Sequence, residues 1–162
     1  MFKKIGSILL LLFWMGVIFA FSAQPAEESD ETSDKVEGVV MTVLQAIWPD
    51  FEDSELAQNI VENLTTLVRK GAHFTIYMIL GILSLFVFWA YKVQKMAWLY
   101  ALGFSLLYAI SDEIHQTFVD GRAGRATDVL IDMAGAIVGI LLVSFCVSIA
   151  RRRKINKKEL TN

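Results

Sequence analysis

Residues 111–132 read Ser111-Asp112-Glu113-Ile114-His115-Gln116-Thr117-Phe118-Val119-Asp120-Gly121-Arg122-Ala123-Gly124-Arg125-Ala126-Thr127-Asp128-Val129-Leu130-Ile131-Asp132. Acids, a histidine and two arginines are crowded here between two strongly apolar runs, Ala97–Ile110 and Val129–Ala150. Ionisable groups at the edge of an apolar layer are costly unless paired or hydrated, so a cluster of them marks a structural or binding centre. The stretch reads as the polar hairpin between two membrane helices.

Working outward, two further apolar runs appear at Ile5–Phe21 and Ala72–Tyr91. With 55% apolar residues in 162 and a mean hydropathy of +0.50, the chain is too apolar for an ordinary soluble domain. About 20 mostly apolar residues span a bilayer as a helix. The fold expected is therefore all-α, a single membrane domain over 1–162 with four transmembrane helices near 5–21, 72–91, 97–114 and 129–150. A short extracytoplasmic helical segment occupies 22–68, and a basic tail follows at 151–162.

The net charge of -2 conceals a partition. Residues 22–68 carry eleven acids and one base, Lys35. Lys3 and Lys4 precede the first run, Lys92 and Lys95 separate the second and third, and six bases from Arg151 to Lys158 follow the fourth. Basic residues are retained on the cytoplasmic side. Both termini and the 92–95 loop are therefore expected in the cytoplasm, with the acidic segment and the 111–128 loop outside. Trp89, Tyr91, Trp98 and Tyr100 form an aromatic belt at the inner interface. The first run reads as a retained anchor, or else as a signal peptide cleaved after Ser22; its length favours the anchor. The single cysteine, Cys146, excludes an intrachain disulfide and reads as a buried, unreactive thiol.

In the acidic segment Val36, Val39, Val40, Val43, Leu44 and Ile47 recur at helical spacing, with Thr32 or Ser33 as cap and Trp48-Pro49-Asp50 as terminator. That helix lies on the outer membrane surface, lids the bundle or serves as a packed connector, the last expected ahead of a ligand lid. A second outer helix, from Asp53 or Ser54, is expected to run into the 72–91 helix. The basic tail is an anchor with the capacity to hold anionic lipid.

Three polar stripes stand out. Lys70, His73, Tyr77, Gly81, Ser84 and Phe88 share one helix face; so do Ala101, Ser105, Tyr108, Asp112 and His115; so do Asp128, Asp132, Gly135 and Gly139. Each is polar toward one end and small-residued deeper, and small residues let helices approach closely in lipid. Packing along these faces would gather His73, Tyr77, Asp112, His115, Asp128 and Asp132 around one cavity. Arg69, Lys70, Arg122 and Arg125 would rim it. These bases lie outside against the topological trend, which points to pairing with the acids or to holding an anion. Glu113 falls off its stripe toward the loop. Asp112 and His115 form a candidate acid/base pair, or Asp112 only fixes the imidazole tautomer. Two histidines and several carboxylates are the residue types of a divalent-metal site, but no His-Glu-x-x-His spacing is present, so neither metal nor cofactor is expected. Nucleophile-elbow, P-loop and dinucleotide patterns are absent from the sequence, and Ser111 has no elbow context.

Two stretches, Arg69–Gly81 and Ser111–Gly139, resemble the two signatures of the VanZ family, membrane proteins linked to teicoplanin (glycopeptide) resistance. The second carries Ser-Asp-Glu-x-His-Gln, Gly-Arg-x-Gly-Arg and Asp-Val-Leu-Ile-Asp-x-x-Gly; Ser22-Ala23-Gln24-Pro25 is similar to a lesser one. The resemblance covers roughly residues 5–150. Two positions depart from it: Ile76 stands where relatives commonly carry Glu, and Asp120 where they often carry Pro. The resemblance implies a small integral membrane protein of the bacterial cell envelope, without a biochemical activity.

Three functions are open on this reading. The first is a non-enzymatic protein binding an anionic lipid or cell-wall precursor headgroup. There Arg122, Arg125 and Lys70 contact the anion, and His73, Tyr77, Asp112, Glu113, His115, Gln116, Asp128 and Asp132 shape the pocket. The second is an enzyme on a lipid-linked or wall substrate, with His115 and Asp112 or Glu113 as the catalytic candidates in proton transfer. The third is a scaffold whose polar network only locks the helices. Membrane lipid is the expected partner, a homo-oligomer is compatible, and no nucleic acid is expected.

Overall fold

The computed structural model describes residues 2–49, 55–93 and 95–159. Five helices follow in order: α1 (Phe2–Ser22), α2 (Ala26–Ile47), α3 (Glu55–Ala90), α4 (Ala97–Gln116) and α5 (Ala126–Glu159). Helix makes up 85% of the structure and no strand occurs among the described residues, so the fold is all-α. Among the described residues, three stretches are long and apolar enough to cross a bilayer: Lys4–Ser22, Thr66–Ala90 and Ala126–Arg153. α4 packs beside them as the fourth member of the bundle. Its 20 residues reach about 30 Å, the thickness of a hydrocarbon core, with Asp112 and Glu113 held to its last turns. Multi-pass membrane architecture follows.

Short connections dictate antiparallel neighbours. The α3–α4 turn opens with Lys92 at φ 62°, where the Lys92 amide bonds the Trp89 carbonyl and the Val93 amide the Phe88 carbonyl. That pattern closes a helix end through a left-handed residue. The Lys4 ammonium lies 4.7 Å from the centre of the Tyr91 ring, so the start of α1 meets the end of α3 at the base-rich end. Trp14 Nε1 donates to the Ile76 carbonyl at 2.9 Å, and Tyr108 OH donates to the Met15 carbonyl at 2.7 Å. These bonds pin α1 to α3 and α4.

The most extensive packing is α3 on α5, and glycine makes it possible. A Cβ on Gly135 would collide with the Phe74 carbonyl oxygen, one on Gly139 with that of Met78, and one on Gly81 would lie 2.7 Å from that of Ala136. The backbones touch along the two stripes expected to meet. The buried core is thin and built largely of Leu11, Ile18, Tyr77, Leu80, Ala109 and, nearer the base-rich end, Leu85, Ala97, Ala101 and Ile140. Leu9, Phe13, Leu107, Leu141 and Phe145 face outward, an arrangement that lipid tolerates and water does not.

Three expectations need correction. α2 starts at Ala26, so Thr32 and Ser33 lie inside the helix rather than capping it. Its start is set by tertiary contact: Pro25 holds an extended conformation (φ −54°, ψ 157°) and the Ala26 amide donates to the Asp120 carbonyl at 3.2 Å. Cys146 is exposed rather than buried, because α5 has a single inward stripe and Cys146 lies with Phe145 on the outer side. α5 continues through the basic tail to Glu159, since Lys and Arg are good helix formers and suit a helix C-terminus. The terminator of α2 is Trp48 as expected, whereas Asp50, Asp53 and Ser54 lie outside the described residues.

Candidate functional site

At the end away from the lysines, the close of α1 and α4 and the early part of α3 leave a cavity of about 180 Å³. Its lining mixes apolar residues, Ile18 and Phe21 from α1, Val36 from α2, Val68, Ala72 and Ile76 from α3, with polar ones: Ser22, Gln24, Arg69, His73, Asp112, Gln116 and Arg122. α2 reaches the cavity through Val36, which like Val39, Val43 and Ile47 stays exposed.

The polar groups come from α1, α3, α4 and the loops after α1 and α4. Gly121, at φ 74°, turns the chain after α4; a Cβ there would meet the Ala26 Cβ at 3.0 Å and add left-handed strain. Arg122 follows, and its guanidinium donates to Gln116 Oε1 at 3.5 Å and to the Phe21 carbonyl at 3.4 Å. Gln116 Nε2 in turn donates to Asp112 Oδ2 at 3.4 Å. The contacts are long, but together they line Arg122, Gln116 and Asp112 along the wall.

His73 joins the cavity to a second, deeper group. Its Nδ1 lies 3.2 Å from Oδ1 of Asp132, whose side chain is wholly buried. Glu113, also buried, accepts the Arg125 backbone N–H on Oε2 at 2.7 Å. Glu113 therefore does turn to the loop. Gly124 permits this approach, since a Cβ there would strike the Glu113 carbonyl. One donor atom each from His73, Glu113 and Asp132 lies within 4.8 Å of the other two. Tyr77 is fully buried, its ring 6.4 Å from that of Tyr108.

The residues singled out from the sequence thus fall into three groups. His73, Asp112, Gln116 and Arg122 line the cavity, as does Arg69. Tyr77, Glu113 and Asp132 are buried in the helix packing without lining it. Lys70, His115, Arg125 and Asp128 do not line it. Lys70 and Arg125 are exposed, Asp128 is half-buried, and the His115 ring lies 4.5 Å from that of Phe19, centre to centre. Ser111 Oγ donates back to the Tyr108 carbonyl at 2.7 Å, an ordinary helix contact. Sequence reasoning did not place Ser22, Gln24, Val36 or Val68 in the wall. The motif-like Ser22-Ala23-Gln24-Pro25 was the available signal for the first two.

Four packed apolar helices, a polar pocket at one end and lysines at the other define a small multi-pass membrane protein. The VanZ/LLP1 family model matches residues 7–147, and the chain belongs to that family. No curated protein and no solved structure matches it.

Proposed function

We propose that the cavity binds the anionic headgroup of a lipid or lipid-linked cell-wall precursor at the outer leaflet, and that the protein thereby contributes to glycopeptide (teicoplanin) tolerance in a bacterial envelope. The observation that carries the reading is one cavity lined both by apolar side chains and by two arginines. A lipid presents the matching combination: a hydrocarbon chain and a charged head. Arg122 and Arg69 contact the anion through charge-assisted hydrogen bonds, with His73 and Gln116 beside them. The apolar lining residues receive the first methylenes. On this reading both termini are cytoplasmic, as the Lys and Arg distribution supports. The exposed valines of α2 rest in the headgroup layer.

The acid/base alternative would draw on Asp112, which lines the cavity and contacts Gln116, or Glu113, with His115, which does not line it.

Native mass spectrometry of the detergent-purified protein tests the reading. The wild type retains an anionic lipid, and Arg69→Gln/Arg122→Gln retains it about 10- to 100-fold less, the loss of one or two charge-assisted contacts. Unchanged lipid retention in a double variant with native helicity would overturn the assignment. In cells, the same variant lowers teicoplanin tolerance to the level of a deletion strain.

A further inference from the structure

We propose that His73, Glu113 and Asp132 form a divalent-metal site of the zinc type, coordinated from three helices at once. The site shares His73 with the cavity but does not rest on the headgroup reading: the metal is held whether or not the cavity takes a lipid.

The geometry of the two carboxylates carries the inference. Each has one oxygen fixed and one without a hydrogen-bond partner. Glu113 Oε2 accepts the Arg125 amide, and its Oε1 is buried and unpartnered. Asp132 Oδ1 faces His73, and its Oδ2 is buried and unpartnered. A buried carboxylate oxygen with nothing to accept from is costly. Two of them beside one imidazole make a set that a single cation satisfies together. Anchoring of a ligand carboxylate by a second hydrogen bond is also what metal sites require, because it fixes the oxygen that coordinates; Glu113 has such an anchor in the Arg125 amide, whereas the bond on Asp132 comes from His73 itself. Gly124 serves that anchoring by letting the Arg125 amide come close.

The spacing fits. With metal–ligand bonds of about 2.0–2.1 Å, donors around a tetrahedral ion are about 3.3 Å apart. His73 Nδ1 and Asp132 Oδ1 are already 3.2 Å apart. Closing the trio from its 4.8 Å limit takes about 1.5 Å, within the reach of a carboxylate rotation. One neutral imidazole and two carboxylates suit zinc, manganese or ferrous iron, with zinc bound more tightly than the other two. Binding exchanges the His73–Asp132 hydrogen bond for two coordinate bonds, and the imidazole enters neutral. Three protein ligands leave a coordination position for water or an anion, and His73 places the ion next to the cavity.

The test uses the full chain with a tag free of histidine. The protein is stripped with EDTA, incubated with zinc, desalted and assayed for metal by mass spectrometry, and separately loaded with cobalt. About one zinc per chain and the visible d–d absorption of nitrogen- and oxygen-ligated cobalt are expected. Glu113→Gln and Asp132→Asn, both near-isosteric, lower the affinity at least about 10-fold, whereas Asp34→Asn on the exposed side of α2 leaves it unchanged. Less than a tenth of an equivalent of zinc on the wild type, or variants that hold as much as the wild type, would overturn the site. If both variants aggregate, the wild-type cobalt spectrum decides alone: without d–d absorption the proposal fails.

Discussion

Replacing Gly135 by alanine adds one methyl group, and the structure says where it goes: into the carbonyl oxygen of Phe74. The neighbouring seam contact gives the scale. A Cβ at Gly81 would lie 2.7 Å from the Ala136 oxygen, and carbon and oxygen approach to about 3.3 Å at best, so α3 and α5 must part by about 0.6 Å there. At Gly135 the overlap is worse, and helices this long cannot yield at one point only. The cost expected is the usual one for overpacking, about 1–3 kcal/mol. The damage also reaches the site. Phe74 adjoins His73, and Asp132 lies one turn before Gly135, so the 3.2 Å His73–Asp132 contact stretches out of hydrogen-bond range. Gly103 provides the matched control, being exposed on α4 with nothing within 4 Å of its Cβ position. Alanine there is neutral or stabilising by up to about 1 kcal/mol, because it is the better helix former. Both unfolding free energies are read from tryptophan fluorescence during SDS titration in mixed micelles. A difference of about 1–4 kcal/mol between the two substitutions is expected; values within about 0.5 kcal/mol of each other would refute the glycine seam.

Other outcomes follow from the same contacts. Lys92→Gly relieves a left-handed residue at φ 62° and raises stability by about 0.5–1 kcal/mol in the same titration. Tyr108→Phe and Trp14→Phe each remove one hydrogen bond to a helix carbonyl and cost about 1 kcal/mol; because both bonds anchor the same turn of α1, the double variant departs from additivity. In a Cys146→Ser background, a cysteine at Asp120 is labelled in whole cells by a membrane-impermeant maleimide and a cysteine at Lys95 only after lysis; the reverse would invert the proposed topology.

The bundle was legible in the sequence because lipid imposes a simple rule. Apolar runs of membrane-spanning length can only be helices, and spacings of three and four pick out which face turns inward. Gly135 and Gly139 announced the seam with α3 before any contact was known. The hydrophilic site was legible only in part. His73, Asp112 and Asp132 lie on true stripes, and helix geometry alone brings them to one end. Arg125 and Lys70 look equivalent to Arg122 and Arg69 in the sequence, yet only the latter pair lines the cavity. For Arg122 against Arg125 the choice depends on the φ of Gly121 and on the bond from Ala26 to Asp120, neither of which has a periodic signature; on α3 the cavity face carries Ala72, His73 and Ile76, and Arg69 rather than Lys70 shares it. The meeting of Glu113 with His73 and Asp132 was hidden for a related reason: three ligands from three helices leave no short spacing to recognise. Cys146 was misjudged because a thiol in an apolar run reads as core in water but can equally face lipid.

Electron density for the protein in nanodiscs containing phosphatidylglycerol tests the headgroup pocket most directly. A phosphate should stand within hydrogen-bond reach of Arg122 and Arg69, with its glycerol ester against Ile18, Phe21 and Val36. A cavity closed over by its own side chains, with lipids ordered only around the outer faces of α1, α4 and α5, would contradict it.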